Sequence, residues 1–203
     1  MISKDIKLIM FDFDWTICHT MNFSTNKLKE LYFLYYPNSS IEDFYLFREK
    51  FKWVPVSEKL NYISSKDFLK LKENWLLEYK QWFDKCEIYN WWIDLFDWLI
   101  KKWIKMVIVS NKYIELLTEM LKYFSLDKYF FDVIWEDSFS YCKPDVRLSW
   151  ELCKKYDLKS NEILYVWNSE VDRIFYENSW FYWFVSENND DRIDFMKNVI
   201  ENL

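Results

Sequence analysis

The feature that most constrains this chain is a regular alternation of short apolar runs with longer amphipathic segments. The apolar runs are rich in β-branched and aromatic residues, as buried strands are, and lie at 6–11, 104–109, 131–135, 162–167 and 181–185. The amphipathic segments repeat apolar residues at i, i+3 and i+4, as helices do, and lie at 93–102, 114–124, 147–156 and 191–203. This alternation predicts a parallel sheet with helices on both faces.

Residues 20–88 interrupt the alternation. They contain helical patterns and no convincing strand, with breaks near Pro37 and around residues 53–55. We therefore expect an all-helical segment inserted after the first strand. The predicted fold class is α/β, a Rossmann-like doubly wound parallel sheet with an inserted helical cap. The core would comprise residues 1–19 and 89–203, and the cap residues 20–88.

The composition argues against several classes of protein. The formal net charge of -6 argues against a surface that binds nucleic acid. No apolar run approaches the roughly 18 residues of a membrane span, and the N-terminal residues lack the pattern of a signal peptide. Cys18, Cys86, Cys142 and Cys153 have neither CxxC nor zinc-site spacing. We therefore expect reduced thiols in a cytoplasmic protein that binds neither nucleic acid nor membrane.

Polar side chains follow the predicted strands near the point where each strand ends. In chain order they are Asp12, Asp14, Thr16, Ser110, Asn111, Lys143, Asn168 and Asp172. Ligands of parallel α/β sheets bind at the carboxyl ends of the strands, so these side chains are expected to converge. Carboxylates suit Mg²⁺, while a lysine and a hydroxyl suit phosphoryl oxygens. The sequence therefore predicts a site for Mg²⁺ and a phosphate group.

The same residues form four motifs whose order resembles that of the haloacid dehalogenase-like (HAD) hydrolases. The likeness is to the phosphoglycolate phosphatase-like branch, which carries a small helical cap. The family pattern is DxDGT, a Ser or Thr after the second strand, a Lys often followed by Pro, and GDSxxD. This chain has DFDWT at 12–16, SN at 110–111, KPD at 143–145 and WNSEVD at 167–172. Each motif alone is weakly specific, but four in this order are a specific match.

The resemblance implies a role for each matching residue. Asp12 would be the nucleophile that forms an aspartyl phosphate, and Asp14 the acid and base that serves the leaving alcohol and then water. Residues i and i+2 of an extended segment share a face, so both carboxylates can reach one substrate. The residues implied in phosphate binding are Thr16, Ser110, Asn111 and Lys143. The implied Mg²⁺ ligands are Asp12, Asp14 through its main-chain carbonyl, Asn168 and Asp172.

Two features depart from the family pattern. Asn168 stands where the family usually has Asp, which removes a negative charge and should weaken Mg²⁺ binding. The second departure concerns glycine, since the chain has 13 tryptophans and neither glycine nor alanine. Tryptophan stands where the family has or commonly has glycine at Trp15, Trp103, Trp167 and Trp180, with Trp135 a further candidate. At a position needing positive φ or close approach it would cost about 1–3 kcal/mol.

One hypothesis explains these substitutions through the genetic code. UGA codons read as glycine in the source organism would appear as tryptophan here, and an AT-rich gene would also account for the missing alanines. The alternative is a sequence deliberately built without glycine and alanine. UGG codons at positions 15, 103, 167 and 180 would rule out the codon hypothesis.

The residues favour a Mg²⁺-dependent phosphatase that hydrolyses a small phosphomonoester, which makes a small phosphorylated metabolite its partner. A dehalogenase is less favoured, because Asp14 supplies acid-base chemistry that halide displacement does not need. A phosphomutase would use the same core and would isomerise its substrate. Outside the enzymes, Asn168 and Trp15 favour a catalytically weak protein that binds a phosphorylated ligand. The sequence identifies neither the substrate nor the oligomeric state.

Overall fold

The computed structural model describes residues 6–20, 23–52, 54–89, 91–186 and 198. The strands of the central sheet are β1 (Leu8–Phe11), β4 (Lys105–Val109), β5 (Asp132–Ile134), β6 (Ile163–Trp167) and β7 (Tyr182–Val185). They pair in parallel in the order β5-β4-β1-β6-β7, with Met10 opposite Val107 on one side and opposite Tyr165 on the other. All five predicted strands are therefore confirmed.

Alternate residues of each inner strand point to opposite faces of the sheet, as the period of a strand requires. Ile9 and Phe11 pack into one hydrophobic cluster, whereas Leu8 and Met10 pack into another. Both clusters are buried, which is why the strands read as continuous apolar runs and not as alternating ones.

Among the residues that the structure describes, two helices cover each face of the sheet. α5 (Trp91–Lys101) and α6 (Ile114–Tyr123) contribute buried residues to the cluster on one face. α7 (Arg147–Tyr156) and α8 (Glu170–Ser179) contribute to the cluster on the other face. The doubly wound α/β fold class is thus confirmed. The sequence pattern did not predict α8. Apart from Asn198, the helix expected at 191–203 lies outside the described residues.

Four helices lie between β2 (Cys18–His19) and β3 (Glu87–Ile88), two short strands that pair antiparallel. The helices are α1 (Phe23–Tyr35), α2 (Ile41–Lys50), α3 (Val56–Ile63) and α4 (Phe68–Lys80). The sequence did not single out α3, and the expectation that residues 20–88 contain no strand is wrong for β3. Because β2 pairs with β3, both ends of this helical segment lie side by side. Within the described ranges, no helix is long and apolar enough to cross a membrane.

Several turns hold non-glycine residues in the left-handed region of backbone space. The described residues with positive φ are Trp15 (64°), Trp103 (61°), Ser125 (56°), Asp157 (53°) and Trp180 (60°). The last four directly follow helices α5 to α8 or their final turn, where glycine is usual. Three of the tryptophans expected at glycine positions therefore have a glycine-type backbone, whereas Trp135 and Trp167 do not.

Candidate active site

A cavity of about 250 Å³ lies at the carboxyl ends of the strands. The chain adds strands first on one side of β1 and then on the other, so β1 is the point where the strand order reverses. Ligands of doubly wound sheets bind at such a point. The predicted site residues that line the cavity are Asp12, Asp14, Ser110, Asn111, Lys143 and Asp172.

A buried ion cluster forms the floor of this cavity. The Lys143 ammonium donates hydrogen bonds to Asp12 Oδ1 at 2.8 Å and to Asp172 Oδ1 at 2.6 Å. Asp12 follows β1 directly, and its own N–H donates to the Val166 carbonyl at 2.9 Å. All three charged side chains are almost fully buried. Because these residues follow the ends of different strands, the sheet brings together side chains that are up to 160 positions apart in the sequence.

The balance of charge in this cluster is negative. Burial, and next the neighbouring carboxylate of Asp172, raise the pKa of Asp12 to about 7 although Lys143 acts to lower it. Burial acts to lower the pKa of Lys143, but Asp12 and Asp172 outweigh it and hold that pKa above its ordinary value. Lys143 is therefore charged, and one lysine does not fully offset two buried carboxylates.

Two further side chains complete the cluster, and sequence reasoning missed one of them, Tyr165. Tyr165, in the middle of β6, is fully buried, and its hydroxyl donates to Asp172 Oδ1 and accepts from Lys143 at 3.1 Å. Ser169 donates from its hydroxyl to Asp172 Oδ2. The sequence signal that could have identified Tyr165 is a tyrosine inside a strand that is buried on both faces, because a buried phenol needs a hydrogen-bond partner.

Asn111 positions Lys143 through its main chain. The Asn111 side chain donates from Nδ2 to the Lys143 carbonyl at 2.6 Å and accepts at Oδ1 from the Lys143 N–H at 3.1 Å. Ser110 is buried on the cavity wall, and its N–H donates to the Ile134 carbonyl at 2.9 Å. Ser110 and Asn111, which follow β4, thus line the site, and Asn111 also orients Lys143.

Thr16 and Asn168 support the loop after β1 and do not line the cavity. The Thr16 hydroxyl lies 3.0 Å from Asp12 Oδ2 and 3.4 Å from Asn168 Oδ1. Asn168 Nδ2 donates to the Trp15 carbonyl at 2.7 Å, and Trp92 Nε1 donates to the Thr16 carbonyl at 2.9 Å. The loop is therefore held by Asn168, which follows β6, and by Trp92 of α5, and these contacts orient Asp12.

Asp14 faces a second buried lysine that sequence reasoning missed. Lys112 Nζ lies 3.1 Å from Asp14 Oδ1 and donates a hydrogen bond to the Tyr79 hydroxyl at 2.8 Å. Burial acts to lower the pKa of Lys112, but Asp14 and Tyr79 outweigh it and raise that pKa above its ordinary value. Lys112 thus links Asp14, in the core, to α4 of the helical segment.

Trp15 is the departure from the family pattern that reaches the site. Trp15 is a lining residue of the cavity, and its ring packs edge-on against the His19 ring, with centroids 4.1 Å apart. A glycine at this position would remove that ring contact. His19 itself does not line the cavity and lies between Trp15 and Tyr89.

The donor set in the cavity fits a divalent metal ion. Asp12 and Asp172 offer hard carboxylate oxygens within reach of one ammonium group, and Lys143 leaves part of their negative charge without compensation. Within the described ranges, no group of three or more His, Cys, Asp or Glu side chains forms a closed metal cage. Any metal bound here would therefore also need main-chain, amide or phosphate oxygens, as Mg²⁺ sites at phosphates commonly do.

Comparison with known proteins identifies the family. The model of the haloacid dehalogenase-like hydrolases matches residues 9–174, which include all four motifs. The chain belongs to the haloacid dehalogenase-like hydrolases. The resemblance indicated by the motifs is thereby confirmed, and so is the expectation that this protein is a hydrolase of that family.

Individual relatives agree with this assignment. A curated phosphoglycolate phosphatase from Vibrio parahaemolyticus is 36% identical over 75 residues, which are 36% of this chain and 32% of that protein. The match thus spans about a third of the relative. Among solved structures, CbbY from Rhodobacter sphaeroides in complex with phosphate has a TM-score of 0.73 at 12% identity, covering 90% of this chain and 87% of that one. A proposed phosphoglycolate phosphatase from Lactobacillus plantarum has a TM-score of 0.71 at 15% identity, covering 98% and 99%. At these identities the structures show the fold alone.

Proposed function

We propose that this hydrolase is a Mg²⁺-dependent phosphatase that cleaves a small phosphomonoester through an aspartyl phosphate on Asp12. The observation that carries the proposal is the placement of Asp12. Its carboxylate lies on the floor of the cavity, 2.8 Å from the Lys143 ammonium, with Asp14 on the same cavity wall. A carboxylate nucleophile, a fixed cation and a second carboxylate are the groups that acyl-phosphate chemistry needs.

The first step transfers the phosphoryl group to the enzyme. A carboxylate oxygen of Asp12 forms a bond to phosphorus while the bond from phosphorus to the leaving oxygen breaks. Asp14 donates a proton to that oxygen, which leaves as the alcohol. Lys143 and the Ser110 hydroxyl hold the phosphoryl oxygens on the cavity floor. Asn111 contributes by holding the main chain of Lys143 in place.

The second step returns the enzyme to its starting state. Asp14, now a carboxylate, accepts a proton from water while the water oxygen bonds to phosphorus. The bond from phosphorus to Asp12 breaks and releases phosphate. Mg²⁺ would offset the negative charge on the phosphoryl oxygens. We infer that it would be held by Asp12, Asp172 and the Asp14 main-chain carbonyl, with the Asn168 amide oxygen as the fourth predicted donor.

We further propose that residues 20–88 act as a cap over this reaction. The pairing of β2 with β3 places both connections to the core side by side, as a hinge requires. Lys52 and Lys59 from the helical segment line the same cavity as Asp12. Closing an active site excludes water and keeps the acyl phosphate from premature hydrolysis. We also propose the cytoplasmic location that the cysteine spacing of the sequence predicts.

Phosphate release from a panel of phosphomonoesters tests the function. The chain should turn over at least one of them with Mg²⁺, and should lose activity after the metal is chelated. Asp12→Asn should lower kcat on the order of 10³-fold or more, since nucleophile removal has effects of that size. Asp97→Asn, on the exposed side of α5, is the matched control and should leave kcat unchanged. Equal activity of the Asp12 and Asp97 variants would refute the proposal.

A second candidate function has one specific observation in its favour. Trp15, which stands where the family has glycine, is one of the residues that line the catalytic cavity. A bulky residue at that position would fit a phospholigand-binding protein without turnover. Trp15→Gly combined with Asn168→Asp separates the two functions. A gain in phosphate release supports the phosphatase, whereas a folded double variant that binds phosphate esters without turnover supports the binding protein.

A further inference from the structure

The helical segment contributes a basic wall to the catalytic cavity. Lys52 and Lys59 line that cavity and also line a second cavity of about 160 Å³. Arg48 lines the second cavity, as do the hydroxyl residues Ser24 and Thr25. Because Lys59 borders both spaces, the two cavities adjoin at its side chain. A ligand that reacts at Asp12 could therefore extend past Lys59 into the second cavity.

Lys59 differs from the other buried lysines of the site in having no counter-ion. Lys143 and Lys112 each lie within 3.1 Å of a carboxylate. In the part of the chain that the structure describes, the Lys59 ammonium makes no ion pair or hydrogen bond, although the side chain is partly buried. Burial, with the nearby Arg48 charge, lowers the pKa of Lys59 to about 8. An ammonium group that gives up water without a partner costs free energy, which an anionic ligand would offset.

The charged side chains that line the second cavity are mainly positive. The lining of the second cavity includes three cations, Arg48, Lys52 and Lys59, and one carboxylate, Glu49. Arg48 also makes no ion pair among the described residues. Two cations that lack carboxylate partners and share one small cavity make a site for an anion.

We propose that Lys59 and Arg48 form a second anion subsite, so that the substrate carries a carboxylate or a second phosphate besides the phosphoryl group that reacts at Asp12. This inference rests on the proposed phosphatase function. It names the substrate class, a small phosphate ester with a second anionic group. The reacting end lies over Lys143, and the second anion reaches Lys59 from the same cavity.

Two matched substrate pairs test the proposal by kinetics. Glycerol 3-phosphate and 3-phosphoglycerate differ by one carboxylate, and fructose 1-phosphate and fructose 1,6-bisphosphate differ by one phosphate. In at least one pair, turnover should favour the member that carries the second anionic group, and the pair that shows this preference identifies that group as carboxylate or phosphate. Lys59→Met should raise KM for that member by about 10- to 100-fold, the range for a lost hydrogen bond to a charged group, with kcat within about twofold. Its effect on the other member should be small.

Further variants separate a binding role from a structural one. Lys59→Arg keeps the charge and should restore most of the lost affinity, whereas Arg48→Gln should have a smaller effect than Lys59→Met because Arg48 is exposed. Lys70→Met, an exposed lysine on α4, is the matched control and should leave the preference unchanged. Equal loss with both members of a pair, or an equal effect of the Lys59 and Lys70 variants, would overturn the subsite.

Direct binding keeps this test separate from catalysis. Calorimetric titration of Asp12→Asn with the same four esters should show tighter binding of the member with the second anionic group, and adding Lys59→Met should remove that difference. Turnover without any preference overturns the subsite and leaves the phosphatase intact. Absence of turnover refutes the phosphatase, and the titration then decides on the subsite alone.

Discussion

Replacing Trp103 by glycine should stabilise this hydrolase, although it removes a large side chain. Trp103 follows α5 at φ 61°, and the turn is closed by the Ile104 N–H donating to the Leu99 carbonyl at 3.0 Å and the Trp103 N–H donating to the Ile100 carbonyl at 2.9 Å. This is the hydrogen-bond pattern of a helix end that prefers glycine. The Trp103 side chain is 92% exposed, so its removal forfeits little buried area.

The magnitude follows from two opposing terms. A residue with a Cβ in the left-handed region costs about 1–2 kcal/mol, which glycine removes. Glycine gives the unfolded chain more freedom, which costs about 0.4–1 kcal/mol. The free energy of unfolding should therefore rise by about 0.5–1 kcal/mol, or roughly 1–4 °C in Tm for a chain of this size. Trp180→Gly should raise the free energy of unfolding by a similar amount, because Trp180 has a φ of 60° and is 84% exposed.

Urea unfolding followed by circular dichroism measures the change. Trp103→Ala is the decisive comparison, because alanine also removes the indole but keeps the Cβ that causes the strain. Trp150→Gly is the second control, since Trp150 is exposed within α7 and glycine there should destabilise by about 1 kcal/mol. If glycine at position 103 is no more stabilising than alanine, the strain argument is refuted. Reading the gene at position 103 tests the codon hypothesis independently.

Three further predictions concern the site and its surroundings. Lys112→Met should lower kcat about tenfold with little change in KM, because Asp14 loses the ammonium group that holds its carboxylate. Steady-state kinetics that show a raised KM and an unchanged kcat would contradict this prediction. Asn168→Asp should lower the Mg²⁺ concentration for half-maximal activity several-fold, since it adds a carboxylate; an unchanged Mg²⁺ titration would contradict this. Burial, aided by Asp137, raises the pKa of Glu136 to about 8 from 4.5, so its ionisation costs stability increasingly as pH rises from 4.5 towards 8. Glu136→Gln should therefore stabilise the fold by about 1–3 kcal/mol at pH 8 and hardly at pH 4.5, and equal changes in urea unfolding at both pH values would refute it.

Much of the fold could be predicted because the signals are local. The period of apolar residues along α5, α6 and α7 directly reflects which face of each helix is buried. α8 escaped prediction because its first turn belongs to the last motif, and polar residues there serve the site. The pair β2 and β3 escaped because two-residue strands carry no periodic pattern and exist only through their pairing.

The sequence by itself determined the strand order along the chain, the four motifs, and hence the identity of Asp12, Lys143 and Asp172 as a set. It also determined that residues other than glycine must occupy the turns that favour glycine, since the chain contains no glycine. Only the tertiary structure decided which side chains meet those residues. Tyr165 reaches Lys143 and Asp172, and Lys112 reaches Asp14 and Tyr79, through contacts that no sequence period encodes. Such contacts depend on how separate elements pack, and so does the lack of a counter-ion for Lys59 among the described residues.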